Sequence, residues 1–151
     1  MSIGYPKDVI KDLIDGKLPW EMTKNIMSSP KDDDRFMKVL EIEQERVPWP
    51  EKIIMPYAEN LYIVEKGKER IVKCICGHEF GDYRINWKDN ALIYIRDTAE
   101  KLEEIFPGPR KCNPEWMHIR EYYCPTCGIL LEVENLPLGY PIIFDFLPDL
   151  D

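Results

Sequence analysis

Long apolar runs are missing from this sequence. None approaches the roughly 20 residues that a bilayer-spanning helix needs, so no membrane partner is expected. The first residues, MSIGYPKDVIKD, lack a basic head leading into an apolar stretch, so no secretion signal is read there. Positive charge is also short. Lys and Arg number 20 against 28 Asp and Glu, for a net charge of −8 and a pI near 4.9. Neutralising phosphates takes a basic face, which these totals do not supply, so no nucleic-acid partner is expected. There is no P-loop, no G-x-G-x-x-G after a strand, no G-x-S-x-G and no H-E-x-x-H. Internal repeats and low-complexity tracts are absent as well. The usual signs of a nucleotide-binding or hydrolytic chain are therefore missing, and the acidity suits a cytoplasmic protein.

What is present is 151 residues, enough for one domain with a hydrophobic core, with 44% apolar and 32% charged residues. Thirteen prolines cut the chain into short pieces and argue against long helices. The first third reads as helices. Val9, Ile10, Leu13 and Ile14 recur at helical spacing after Pro6, with Gly16 as a stop. Trp20 to Met27 forms a second short helix. Ser29-Pro30 then reads as an N-cap with proline in the first turn, followed by Asp32, Asp33 and Asp34, where negative charge suits the helix dipole. Phe36, Leu40 and Val47 share a face of this third helix, and Pro48 and Pro50 end it.

From residue 53 the pattern turns to strands. Leu61 to Glu65 and Glu69 to Lys73 flank Lys66-Gly67-Lys68 as a hairpin. Ala91 to Ile95 is a further strand. Asp97 with Glu100 resembles a capping box for a short helix burying Leu102, Ile105 and Phe106, broken by Pro107-Gly108-Pro109. Trp116 to Tyr123 and Ile129 to Val133 flank a cysteine turn. The expected fold class is α+β: a helical arm over 1–52, a β-rich, zinc-ribbon-like module over 53–135, and an extended docking tail over 136–151.

The cysteines carry the chemistry. With no export signal they are expected in a reducing compartment, where paired cysteines mean metal more often than disulfide. The chain reads Cys74-Ile75-Cys76-Gly77-His78 and later Cys124-Pro125-Thr126-Cys127-Gly128. A structural zinc takes four tetrahedral ligands, often four thiolates. Two close pairs supply them if the fold brings the pairs together, and the glycine after each pair fits a tight turn. The first pair is C-x-C, one residue shorter than the standard C-x-x-C, and 47 residues (Gly77 to Tyr123) separate the pairs. Buried free cysteines would explain one such residue but not two pairs with following glycines. A redox C-x-x-C would leave the first pair without a role. Cys74, Cys76, Cys124 and Cys127 are therefore the expected zinc ligands. His78 reads as a hydrogen-bonding neighbour rather than a ligand. Cys112 reads as a loop cysteine with no base or oxyanion site nearby. His118, beside Arg120, reads as a core or partner contact. The carboxylates Glu41, Glu43 and Glu45 look like a solvated helix face.

Two proline-stiffened apolar segments suggest a partner: Val47-Pro48-Trp49-Pro50 running on to Ile53-Ile54-Met55-Pro56, and Tyr140 to Pro148 with Asp145 and Asp149 nearby. Folding back over the chain's own core explains them equally well.

The run Glu41 to Trp49, CICGHEF at 74–80, Arg96-Asp97-Thr98, IREYYCPTCG at 119–128 and YPIIFDF at 140–146 occur in one order across nearly the whole chain. Together they resemble the gamma subunit of acetone carboxylase. The small subunit of acetophenone carboxylase is similar in kind. This resemblance implies a hetero-oligomeric, biotin-independent ketone carboxylase whose large, hydantoinase-like subunits hold ATP and a divalent metal. There, bicarbonate and a ketone enolate, activated by phosphorylation, join into a 3-oxo acid. It implies a zinc-bearing structural role for this chain, through the four cysteines above, and no catalytic or cofactor-binding residue. Such gamma subunits are expected to continue past the region matching Asp145 to Asp149, whereas this sequence stops at Asp151, which leaves the ketone open. Two other readings stand beside it: a stand-alone zinc-ribbon module for a protein or nucleic-acid partner, and a small metalloenzyme with an open coordination position.

Overall fold

The computed structural model describes residues 4–110 and 112–150. The first three residues of the expected arm, Lys111 beside Cys112, and Asp151 at the end of the tail lie outside them. The architecture is α+β, as expected: three short helices, then two antiparallel sheets.

Helix α1, Lys7–Ile14, starts directly after Pro6, where a missing N–H costs nothing. It ends at Asp15, followed by Gly16 in the left-handed region at φ +67°. Helix α2, Trp20–Ser28, follows Pro19 in the same way. Helix α3, Arg35–Arg46, starts five residues later than Ser29-Pro30 suggested. The reason is local. The Ser29 hydroxyl donates backwards to the Asn25 carbonyl at 2.6 Å and so closes α2 instead of opening α3. Asp32, buried, receives Arg35 and Lys38 and holds the bend before Asp34, which stands at the N-cap. The buried face of α3 is also shifted. Ile42 and Glu43 face inward, while Phe36 is 51% exposed. Glu43 is thus no solvated carboxylate: the Tyr62 hydroxyl donates to it at 2.7 Å.

Strands β1 (Lys52–Ala58), β2 (Leu61–Lys66), β3 (Glu69–Cys74) and β4 (Glu79–Asp82) form a meander in sequence order. The hairpin at Gly67, φ +64°, matches the expectation. Strands β5 (Leu92–Arg96), β6 (Met117–Tyr123) and β7 (Leu130–Pro137) form the second sheet. β2 and β3 are buried on both faces. On one face, Leu61, Ile63, Val72 and Cys74 join Phe80, Trp87, Tyr122, Cys124 and Leu131, which carries the core from the first sheet into the second. On the other, Tyr62, Val64 and Ile71 pack on Val47, Trp49 and Ile53.

The segment from Val47 to Ile53 therefore belongs to this chain's own core, which decides the question left open for it. β1, β4 and the 3-10 turn Trp87–Asn90 are additions to the expected elements. In the short helix α4, Ala99–Glu103, the cap is Thr98, whose hydroxyl accepts from Lys101 N, while Asp97 pairs with the Lys101 ammonium at 2.7 Å. Of the three residues expected to be buried there, only Leu102 is. Ile105 and Phe106 lie beyond the helix and stay exposed. Among the described residues no helix is long and apolar enough to cross a membrane. Residues 140–150 form neither helix nor strand. They are tied down where Arg120 donates to the Tyr140 carbonyl at 2.6 Å.

Candidate metal centre

The end of β3 and the turn after β6 bring the two cysteine pairs together. Cys74 Sγ lies 3.8 Å from Cys127 Sγ, and Cys76 Sγ lies 3.7 Å from Cys124 Sγ. All four sulfurs fall within 4.8 Å of one another. A tetrahedron with metal–sulfur bonds of about 2.3 Å has edges of about 3.8 Å, so this spacing suits a four-coordinate thiolate site. Cys74 and Cys124 are fully buried and also belong to the apolar core, whereas Cys76 and Cys127 lie at the surface.

Each pair sits on a turn that its glycine makes possible. Cys74 N donates to the His78 carbonyl and Gly77 N to the Cys74 carbonyl, both at 2.8 Å. In the second turn Cys124 N donates to the Ile129 carbonyl and Gly128 N to the Cys124 carbonyl, at 3.0 and 2.9 Å. Gly77 at φ +101° and Gly128 at φ +73° occupy backbone conformations that side chains disfavour. Main-chain N–H groups also face the sulfurs. Burial pushes the Cys74 and Cys76 thiols up. At Cys124 the opposing amides of Cys127 and Thr126 overcome burial and bring the thiol below its ordinary value. A divalent ion would convert these thiols to thiolates and release their protons, and the amides would then serve as donors to sulfur.

Side chains outside the sulfur cluster brace it. The buried Trp49 indole N–H donates to the carbonyls of Cys74 and Ile75 at 3.2 and 3.1 Å, which fixes the short C-x-C turn from behind. The Lys73 ammonium sits 5.0 Å from the Trp49 ring centroid and pairs with Glu51 at 2.8 Å. His78 Nδ1 meets the Thr126 hydroxyl at 2.8 Å, a bond that ties one cysteine turn to the other. His78 therefore stands beside the four-sulfur group and is not one of its members. Cys112, half-buried, has its Sγ 4.0 Å from the Met117 carbonyl, apart from the cluster. His118 Nε2 contacts the Pro114 carbonyl at 3.1 Å.

A second polar cluster was not apparent in the sequence. Lys88 is completely buried, and its ammonium contacts Glu132, Glu134 and Asp145 at 3.1, 2.7 and 3.2 Å. Burial opposes its charge, but the carboxylates outweigh that and raise its pKa. The Tyr122 hydroxyl also donates to Glu134 at 2.7 Å. Alternation of charge along β7, at Glu132 and Glu134, was the available signal. The partner lysine lies more than forty residues away in a turn that the sequence did not reveal.

The model of the acetone carboxylase gamma subunit family matches residues 47–151, most of the chain and both cysteine pairs. The chain belongs to this family. It is 44% identical to an acetone carboxylase gamma subunit of Xanthobacter autotrophicus, over 99% of this chain and 90% of the relative. It is also 33% identical to an acetophenone carboxylase beta subunit of Aromatoleum aromaticum, over 50% of this chain and 60% of that relative. The resemblance read from the sequence is thus shown, and an acetophenone carboxylase beta subunit shares it over half of this chain.

Proposed function

We propose that the chain is the structural, zinc-binding small subunit of a cytoplasmic, ATP-dependent, biotin-independent ketone carboxylase of the acetone or acetophenone type. The observation that carries this reading is a four-thiol cluster with tetrahedral edge lengths in a chain matched almost end to end by an acetone carboxylase gamma subunit. Cys74, Cys76, Cys124 and Cys127 would hold the zinc. Four thiolates leave no open position for water or substrate, which argues for a structural ion over a catalytic one.

The metal's task follows from where its ligands sit. Cys74 ends β3 in the first sheet, and Cys124 follows β6 in the second. One ion would tie the two sheets together at the edge of a core that is small for the work. This chain supplies no catalytic side chain in the proposal. Its role is to hold large, hydantoinase-like subunits in register, and those subunits would carry ATP, a divalent metal and the chemistry joining ketone and bicarbonate into a 3-oxo acid. The net charge of −8 supports a protein partner over nucleic acid.

The test is a tagged pull-down of the full chain from its native cells, with metal analysis and mass spectrometry of the bound proteins. One zinc per chain and stoichiometric large carboxylase subunits are expected. A chain that comes down alone or with nucleic acid overturns the subunit reading, and a chain without zinc overturns the metal assignment.

A further inference from the structure

The two sheets present four outer edges, and three carry features that discourage pairing with another strand. β1 contains Pro56 and two register irregularities, and α3 packs beside it. β4 is only four residues long and contains Gly81. β7 carries Glu132 and Glu134 and ends in Pro137. β5 has none of these. It pairs with β6 in regular register over all five residues, has no proline, and is uncharged until Arg96 at its end. Leu92, Ile93, Tyr94 and Ile95 are all exposed, at 55, 36, 37 and 39%, so apolar side chains reach solvent on both faces of the strand, with Arg96 and Lys101 lying over the Tyr94 ring at 4.9 and 5.5 Å. One face continues across the sheet. Leu92 lies in register with Tyr123 and Leu130, and Tyr94 with Glu121 and Val133; Leu130 and Val133 are also exposed.

We propose that the β5 edge, with this apolar face, docks a β-strand of the large subunit; the inference rests on the subunit reading above. The backbone determines the kind of occupant. A bare strand edge offers a row of N–H and C=O groups that another extended strand satisfies, while alternating pockets take its side chains. The unprotected stretch is Leu92 to Tyr94, because Lys101 Nζ already takes the Ile95 carbonyl at 3.0 Å. Charge separates the partner from a second copy of this chain, since two copies at −8 each repel. Area sets how much the occupant must cover. A pairing along Leu92 to Tyr94 alone falls short of the roughly 800 Å² per partner of a stable interface, so the occupant must also cover the sheet face. Tyr123 and Leu130 flank the Cys124–Cys127 turn, and the docking face is therefore shaped by the metal centre.

The experiment uses the full chain co-expressed with the large subunits, comparing wild type with the Leu92→Lys/Tyr94→Lys double variant. A photo-crosslinking amino acid placed at position 94 in an otherwise wild-type chain identifies the neighbour. Expected are a loss of about tenfold or more in retained large subunit for the double variant, with zinc content unchanged, and a cross-link from position 94 to a large subunit. Unchanged retention, or a position-94 cross-link to nothing, overturns the docking site while wild-type co-purification keeps the subunit reading intact. A cross-link to a second copy overturns the occupant. Failure of the wild-type chain to retain large subunits removes the subunit reading and the docking site with it. If the double variant loses its zinc, the cross-link alone decides.

Discussion

Lys88 offers the sharpest test of how this fold is held together. Its ammonium is fully buried and is the near neighbour of three carboxylates, Glu132, Glu134 and Asp145. Lys88→Met keeps the length of the side chain and removes the charge. Removing one partner from a buried ion pair costs roughly 3–5 kcal/mol, because the remaining charge has nowhere to go. The lower end applies here. Glu134 retains the Tyr122 hydroxyl at 2.7 Å and Arg120 at 3.5 Å, and Asp145 can turn to solvent. About 3 kcal/mol corresponds to a fall in Tm of about 6–12 °C at this chain length.

The pH dependence carries the mechanism. Burial, Asp145 and Glu134 already raise the Glu132 pKa, and only Lys88 opposes them. Without the lysine Glu132 titrates higher still in the folded state than unfolded, where a glutamate titrates near 4.3. A group raised in this way contributes stability that is complete below its unfolded pKa and lost as pH rises through the folded one. The deficit against wild type should therefore be largest near pH 8 and shrink towards pH 5. Thermal unfolding of the zinc-loaded chain, wild type and variant side by side at each pH, measures this. An equal deficit at both pH values would refute the electrostatic account and leave only lost packing. A deficit below about 1 kcal/mol would mean that Lys88 is not the needed counter-charge.

Three further outcomes are expected. Cys124→Ser should lower zinc content and destabilise the chain, because it opens a four-thiolate site from its buried side, while Cys112→Ser should change neither zinc nor Tm; metal analysis and calorimetry read both. Trp49→Phe keeps an aromatic ring but removes the donor to the Cys74 and Ile75 carbonyls. The loss of about 1 kcal/mol of hydrogen bonding should speed zinc release to a chelator by about fivefold, and an unchanged rate would show that the C-x-C turn holds its shape unaided. Cobalt substitution should give the intense thiolate-to-metal absorption of a tetrahedral four-sulfur site, and a weak spectrum with bound water would argue for an open position.

Much of the candidate site was legible because its signals are local. Two close cysteine pairs, each followed by glycine, announce two turns whatever the rest of the chain does. Helices α1 and α2 and the β2–β3 hairpin were legible for the same reason: proline, glycine and apolar period act within a few residues. The start of α3 was misread because Ser29 can serve either helix beside it, and only the position of Asn25 decides which. β1 was hidden by Pro56 within it, by Pro48 and Pro50 before it, and by an apolar content that suits an interface as well as a core. The Lys88 cluster joins a short turn, a strand and the tail, and no local pattern encodes that meeting.

By itself, then, the sequence determined the α+β class, the family and the two cysteine turns, since each depends on residue type at short range. Only the tertiary structure decided that the four sulfurs meet within 4.8 Å of one another, that Trp49 faces inward behind them, and that Leu92 to Ile95 stay exposed along β5. Those outcomes depend on contacts between segments far apart in the chain, where burial and pairing compete, and a one-dimensional pattern does not record which segment wins.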